Sequence, residues 1–205
     1  MATAENFFEK SVWKVPKKCQ WIIDKFWDYG IIISTFFVGG NMEQLNLFKT
    51  EKTPPKTCAF TGHRTLYDGF SPRRLKKAIK ELILQGVTTF YNGMAMGFDL
   101  LAAEKVLELK KRFPQVKLVL CIPCYNQERN FSDADKLRYQ KICKNADEKV
   151  LLSDKYYRGC MLVRNKYMVE RADVLIAYCM KSTGGAAYTV GLFKKCKPNG
   201  EIVFI

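Results

Sequence analysis

From residue 57 onward, short apolar runs alternate with longer stretches in which apolar residues recur every three or four positions. The short runs predict strands over 57–60, 87–91, 117–122, 149–152, 174–178 and 201–205, and the longer stretches predict helices over 72–84, 98–111, 133–144, 160–171 and 186–195. Ser71 before Pro72, and Ser132 before Asp133, supply helix-start signals. Pro123 stops the third strand. Upstream, Cys19, Ile22, Ile23 and Phe26 fall at helical spacing, so 16–29 reads as a short amphipathic helix, and 31–38 is rich in β-formers.

Alternation of strand and helix implies right-handed crossovers and a mainly parallel sheet. The expected fold is α/β: a Rossmann-like, doubly wound, mainly parallel sheet with helices on both faces, plus an N-terminal extension. The boundaries are 1–55 for extension and linker, the latter marked by Thr53-Pro54-Pro55-Lys56, and 56–205 for the Rossmann-like domain. Ligands of such sheets bind beyond the carboxyl ends of the strands. The loops there are 61–64, 92–99, 123–129, 153–159 and 181–185.

Composition narrows the classes. With 205 residues, 48% of them hydrophobic, the chain can build a real core. No apolar run reaches membrane-spanning length, and no secretory signal is evident. The eight cysteines are scattered, without zinc spacing, which makes a reducing, cytoplasmic compartment the default. Cys121 and Cys124 have redox spacing but sit at a strand end. No metal site is expected. The net charge of +14 suits a phosphorylated small molecule or a nucleic acid, and equally a solvated basic helix face.

Candidate chemistry gathers in those loops. Gly93 and Gly97 lie between a strand and a helix start, a junction that offers free amides and a positive dipole end to an anion, or that simply makes a tight turn. Gly62, Gly184 and Gly185, with Thr183 beside them, offer the same at two other strand ends. Arg64 fits a bidentate phosphate contact or a surface ion pair, and His63 a ligand contact or a structural role. Asp99 caps its helix or accepts from ribose hydroxyls. Glu104 is a second carboxylate candidate, or a solvent-facing helix residue. Arg164 and Asn165 reach a ligand or make contacts between helices.

Thr61-Gly62-His63-Arg64, the 92–99 stretch with Ala102-Ala103-Glu104, Arg164-Asn165-Lys166-Tyr167-Met168-Val169, Ala172-Asp173-Val174-Leu175-Ile176-Ala177, and Gly184-Gly185 with Tyr188-Thr189-Val190 together resemble the YpsA-like branch of the SLOG superfamily. That superfamily includes the DNA-processing protein DprA and the LOG phosphoribohydrolases. The resemblance spans about 57–205 and implies a domain that binds a nucleotide or nucleotide-derived ligand, such as NAD or ADP-ribose. The expected role is that of a sensor or adaptor in bacterial or phage stress, cell-division or DNA-related processes, with no obligatory cofactor. Two alternatives stand beside it: LOG-like cleavage of the N-glycosidic bond of a nucleoside monophosphate, with Asp99 or Glu104 as the carboxylate, and DprA-like binding of single-stranded DNA. The LOG pattern P-G-G-x-G-T-x-x-E is broken here, since Ala187 replaces its third glycine and no glutamate follows at the expected offset. Gln44-Leu45-Asn46-Leu47-Phe48 resembles the peptide by which bacterial replication and repair proteins dock on the sliding clamp. Homo-oligomerisation is left open.

Overall fold

The computed structural model describes residues 56–205. The expected helix at 16–29, the β-rich stretch at 31–38 and the clamp-like peptide at 44–48 lie outside the described residues. The described elements are β1 (Lys56–Gly62), α1 (Pro72–Leu84), β2 (Val87–Asn92), α2 (Phe98–Lys110), β3 (Lys117–Ile122), a 3-10 turn (Gln127–Asn130), α3 (Asp133–Asn145), β4 (Glu148–Leu151), α4 (Cys160–Arg171), β5 (Val174–Tyr178), α5 (Gly185–Cys196) and β6 (Glu201–Phe204). The strands form one sheet in the order β4-β3-β2-β1-β5-β6, and every neighbouring pair is parallel.

Alternation along each strand assigns the two faces. Cys58, Phe60, Phe90, Leu118, Leu120 and Ile176 pack with Leu75 and Ile79 of α1, Val106 of α2 and Ile142 of α3. Ala59, Val119, Cys121, Leu175 and Ala177 pack with Met168 and Val169 of α4 and Phe193 of α5. Covering both faces explains why β5 is buried at all five positions and reads as one apolar run. Each large side chain so buried contributes about 1.5–3 kcal/mol. At the edges, β4 leaves Glu148, Lys149 and Leu151 in water, and β6 leaves Glu201 and Phe204.

Side chains at the amino ends of the strands pin the register. Thr57 donates its amide to Asp173 Oδ2 at 2.9 Å, and Asp173 returns its own amide to Thr57 Oγ1 at 3.1 Å. Asp147 plays the matching part for β3 by accepting from the Leu118 amide at 2.8 Å. Each aspartate immediately precedes its own strand, so a local residue fixes a long-range pairing.

The elements differ from expectation mainly at their ends. β1 runs on to Gly62, which carries the chain straight into His63 and Arg64. α5 begins at Gly185, one residue early. The 3-10 turn at Gln127–Asn130 has no apolar periodicity to announce it.

Candidate functional site

In the sheet order, connections from β1 run one way through β2, β3 and β4, then cross back to β5 and β6 on its other side. The loops leaving β1 and β5 therefore diverge and leave a crevice at this switch point. On the β1 side, Gly62 is needed because a Cβ there would stand 2.4 Å from the Phe98 ring. His63 accepts from the Met180 amide through Nε2 at 2.8 Å, which ties the two diverging loops and leaves the ring proton on Nδ1. Partial burial, and then the nearby Lys181 charge, lower the His63 pKa and favour this neutral ring.

The β2–α2 turn is built from its own side chains. Buried Asn92 donates from Nδ2 to the Asp99 carbonyl at 2.8 Å and accepts from the Met94 amide at 2.7 Å. These bonds hold Met94 in the left-handed region, at φ 56°. Asp99 Oδ2 accepts from the Ala95 amide at 3.3 Å. Gln127 reaches across from the 3-10 turn and donates to the carbonyls of Gly93 (3.1 Å) and Met94 (2.7 Å). The turn is also clipped to the β1 loop, because the Phe98 amide donates to the His63 carbonyl at 3.2 Å.

Arg164 is buried at the centre. Its guanidinium donates to the Gly93 carbonyl and, from Nε, to Asn165 Oδ1 at 2.7 Å. Asn165 in turn donates to Thr189 Oγ1 at 2.8 Å, and Thr189 to the Gly185 carbonyl at 2.8 Å. One hydrogen-bonded chain thus links the β2 turn, α4 and α5. Burial lowers the Arg164 pKa, opposed first by the charge of Asp99. Burial pushes the Asp99 carboxyl up to about 6, opposed by Arg164, the Ala95 amide and Arg64. A carboxyl that titrates near neutrality can exchange a proton at working pH.

Helix starts separate the site from the rest of the fold. α1 and α3 are capped by Ser71 and Ser132, whose hydroxyls accept from Arg74 and Asp135 amides. α2, α4 and α5 begin after Gly97, Gly159 and Gly184, with no side-chain cap. In α2 the Phe98 and Leu100 amides are taken by the His63 and Ala95 carbonyls, and in α4 the Cys160 and Leu162 amides by the Tyr157 and Gly159 carbonyls. The open first-turn amides are therefore chiefly those of Gly185, Ala186 and Ala187 in α5, and α4 and α5 carry no acid in that turn. Residues from the first turns of all three line one cavity of about 530 Å³.

That cavity brings together Gly62, His63, Arg64, Asp99, Arg164, Asn165 and Gly185. Gly93 and Gly97 stand behind its wall: a Cβ on Gly93 would lie 2.1 Å from the Arg164 guanidinium, and one on Gly97 2.0 Å from the Arg64 carbonyl. Thr183 and Gly184 are exposed beside it and are not among its lining residues. Glu104 is elsewhere, its two oxygens accepting from Arg138 at 2.7 and 2.9 Å against α3. Among the described residues Asp99 is therefore the one carboxylate lining the cavity. Sequence reasoning missed Gln127, Arg129, Tyr125 and Tyr156, all of which line it. The buried Cys124 thiol has Cys160 rather than Cys121 as its near neighbour, burial and then Cys160 raise its pKa, and the described cysteines are free. Among the described residues no three His, Cys, Asp or Glu side chains are placed to hold a metal ion.

Six parallel strands wound in both directions about β1, with a polar crevice at the reversal, define a Rossmann-like α/β domain. The sequence model described as the YspA SLOG family matches residues 72–202, and the chain belongs to that family. It is 25% identical to the UPF0398 protein YpsA of Bacillus subtilis over 153 residues, which cover 68% of this chain and 85% of the relative. It is 30% identical to a UPF0398 protein of Halalkalibacterium halodurans over 128 residues, 59% of this chain and 68% of that one. Among solved structures, DNA processing protein A of Helicobacter pylori, described for its single-stranded DNA binding mode, shares the fold. The TM-score is 0.54 at 21% identity, covering 73% of this chain and 65% of that chain. No described helix is long and apolar enough to cross a membrane.

Proposed function

We propose that the crevice binds the phosphate of a nucleotide-derived ligand of the NAD or ADP-ribose kind, and that the domain works as a cytoplasmic sensor or adaptor. The observation that carries this reading is the meeting of Arg64, Arg164 and glycine-capped helix starts in one cavity of about 530 Å³. Open amides and guanidinium groups are the two protein features best matched to phosphate oxygens. Arg64, exposed at the mouth, supplies the mobile clamp. Arg164 is already committed to Gly93 and Asn165 and supplies fixed charge with its remaining N–H donors. Asp99 accepts from a ribose hydroxyl. Calorimetry of the full chain against NAD, ADP-ribose, cyclic nucleotides and nucleoside monophosphates tests the reading. Micromolar binding weakened at least tenfold by Arg64→Ala supports it, and a folded protein that binds none of the panel overturns it.

A second reading, N-glycosidic hydrolysis, has one specific observation in its favour: Asp99 lines the cavity with its carboxyl pushed up to about 6. Glycosidic cleavage needs such a group to activate water or steady an oxocarbenium-like state. Release of free base from a nucleoside monophosphate, abolished in Asp99→Asn but not in Glu104→Gln, would establish it. Single-stranded DNA binding draws on the net charge of +14 and on the shared fold. It predicts affinity that falls steeply with added salt.

A further inference from the structure

The inner cavity opens outward onto an aromatic rim. Tyr125, Asn126, Arg129 and Tyr156 line it and also line a second hollow of about 440 Å³. The two hollows make one cleft with two chemistries. Its inner part is cationic and rich in hydrogen-bond donors. Its outer part presents the Tyr125 and Tyr156 rings, 62% and 60% exposed. Single exposed tyrosines need no explanation. Two at the mouth of one polar cavity do, because each presents an exposed aromatic ring to water there.

The rim is organised around these rings. The Arg129 guanidinium lies 5.7 Å from the centre of the Tyr156 ring, a cation–π contact that steadies the ring at the mouth. Asn126 sits in the left-handed region, at φ 54°, and lines both hollows. Its carboxamide can donate and accept at once, as the edge of a heterocyclic base requires. Charge in the outer hollow is nearly balanced, since Glu128 and Asp154 face Arg129, Lys136 and Lys155. That balance suits an uncharged planar group better than a run of phosphates.

We infer that the outer hollow is a base subsite: Tyr125 and Tyr156 stack on the planar base of the ligand whose phosphate occupies the inner cavity. The ligand class is then a nucleotide long enough to span both parts, a nucleoside diphosphate or its sugar ester, rather than a sugar phosphate or an inorganic anion. This rests on the phosphate reading above and adds the part of the ligand that gives selectivity. Stacking accepts any base face, so Tyr125 and Tyr156 select for a base without choosing among bases.

Calorimetry of the full chain with pyrophosphate, ribose 5-phosphate, adenosine, ADP, ADP-ribose and a short oligothymidylate separates the parts. ADP and ADP-ribose bind at least about tenfold more tightly than pyrophosphate or ribose 5-phosphate. Tyr156→Ala removes most of that advantage and leaves pyrophosphate affinity unchanged, while Tyr156→Phe keeps it. Equal binding of pyrophosphate and ADP, or equal weakening of both by Tyr156→Ala, overturns the base subsite and spares the phosphate reading. Adenosine binding that depends on Tyr156, with no binding of pyrophosphate, does the reverse. Tyrosine-dependent binding of the oligothymidylate without binding of ADP overturns the nucleotide class, and silence from every probe overturns both readings.

Discussion

Two glycine-rich turns end neighbouring parts of this sheet, and they look alike in sequence but differ in what surrounds them. In the β2–α2 turn, added Cβ atoms on Gly93 and Gly97 would strike Arg164 and the backbone of Arg64. In the β5–α5 turn, added Cβ atoms on Gly184 and Gly185 would meet nothing within 4 Å. The first turn is closed by protein, through Asn92, Asp99, Gln127 and Arg164. The second leaves a helix start open beside the cavity. A glycine tells that something comes close or that the backbone is unusual; only the neighbours tell whether the close thing is the protein itself or a guest.

Substitutions at the two turns should therefore separate stability from binding. The largest effect falls on Gly97→Ala. It places a methyl 2.0 Å from a carbonyl oxygen and forces a side chain to φ 74° with ψ −112°. Overpacking and backbone strain together cost about 3–5 kcal/mol, read as a loss of unfolding free energy in urea or as failure to fold.

Asp99→Asn comes next and turns on pH. The folded carboxyl is raised from 3.8 to about 6. The native state thus favours its protonated form, and that contribution, present in full below the unfolded pKa, is lost as pH rises through about 6. The asparagine variant lacks this loss. It should gain on the natural protein by about 2 kcal/mol between pH 4 and pH 8, in paired denaturation curves. A difference that is flat with pH would show that Asp99 titrates normally.

Gly93→Ala is smaller, about 1–3 kcal/mol, because the obstacle is a side chain that can move. Its signature is that Arg164 leaves its seat and phosphate binding falls with stability. The smallest change in stability belongs to Gly185→Ala, within about 0.5 kcal/mol or slightly favourable, since alanine enters a helix into empty space. Here binding of pyrophosphate should drop while the melting temperature holds, the reverse of the pattern at Gly97.

The sheet was legible because burial on two faces leaves apolar runs such as 174–178 that nothing else explains. The loops of the crevice were legible for a related reason, since strand ends dictate where ligands can enter. Side-chain partnerships were not. Glu104 and Arg138 stand 34 positions apart, and no local pattern pairs them. Glycine in the 92–99 stretch suggested amides aimed at phosphate, whereas the space beside Gly93 and Gly97 is filled by Arg164 and Arg64. Tyr125 and Tyr156 are isolated aromatics in separate loops, and only the folded chain brings them to one rim. The left-handed backbone at Asn126 is likewise seen only in the folded chain, although asparagine tolerates that region more readily than most residues.

The most direct test of the central claim is a map of backbone amide shifts in the isotope-labelled full chain as ADP is added. The account predicts that the amides of 62–64 and 185–186 move first and furthest, with those of the 92–97 turn following only weakly. Saturable shifts confined to another face of the sheet, or none at concentrations where calorimetry reports binding, would contradict it.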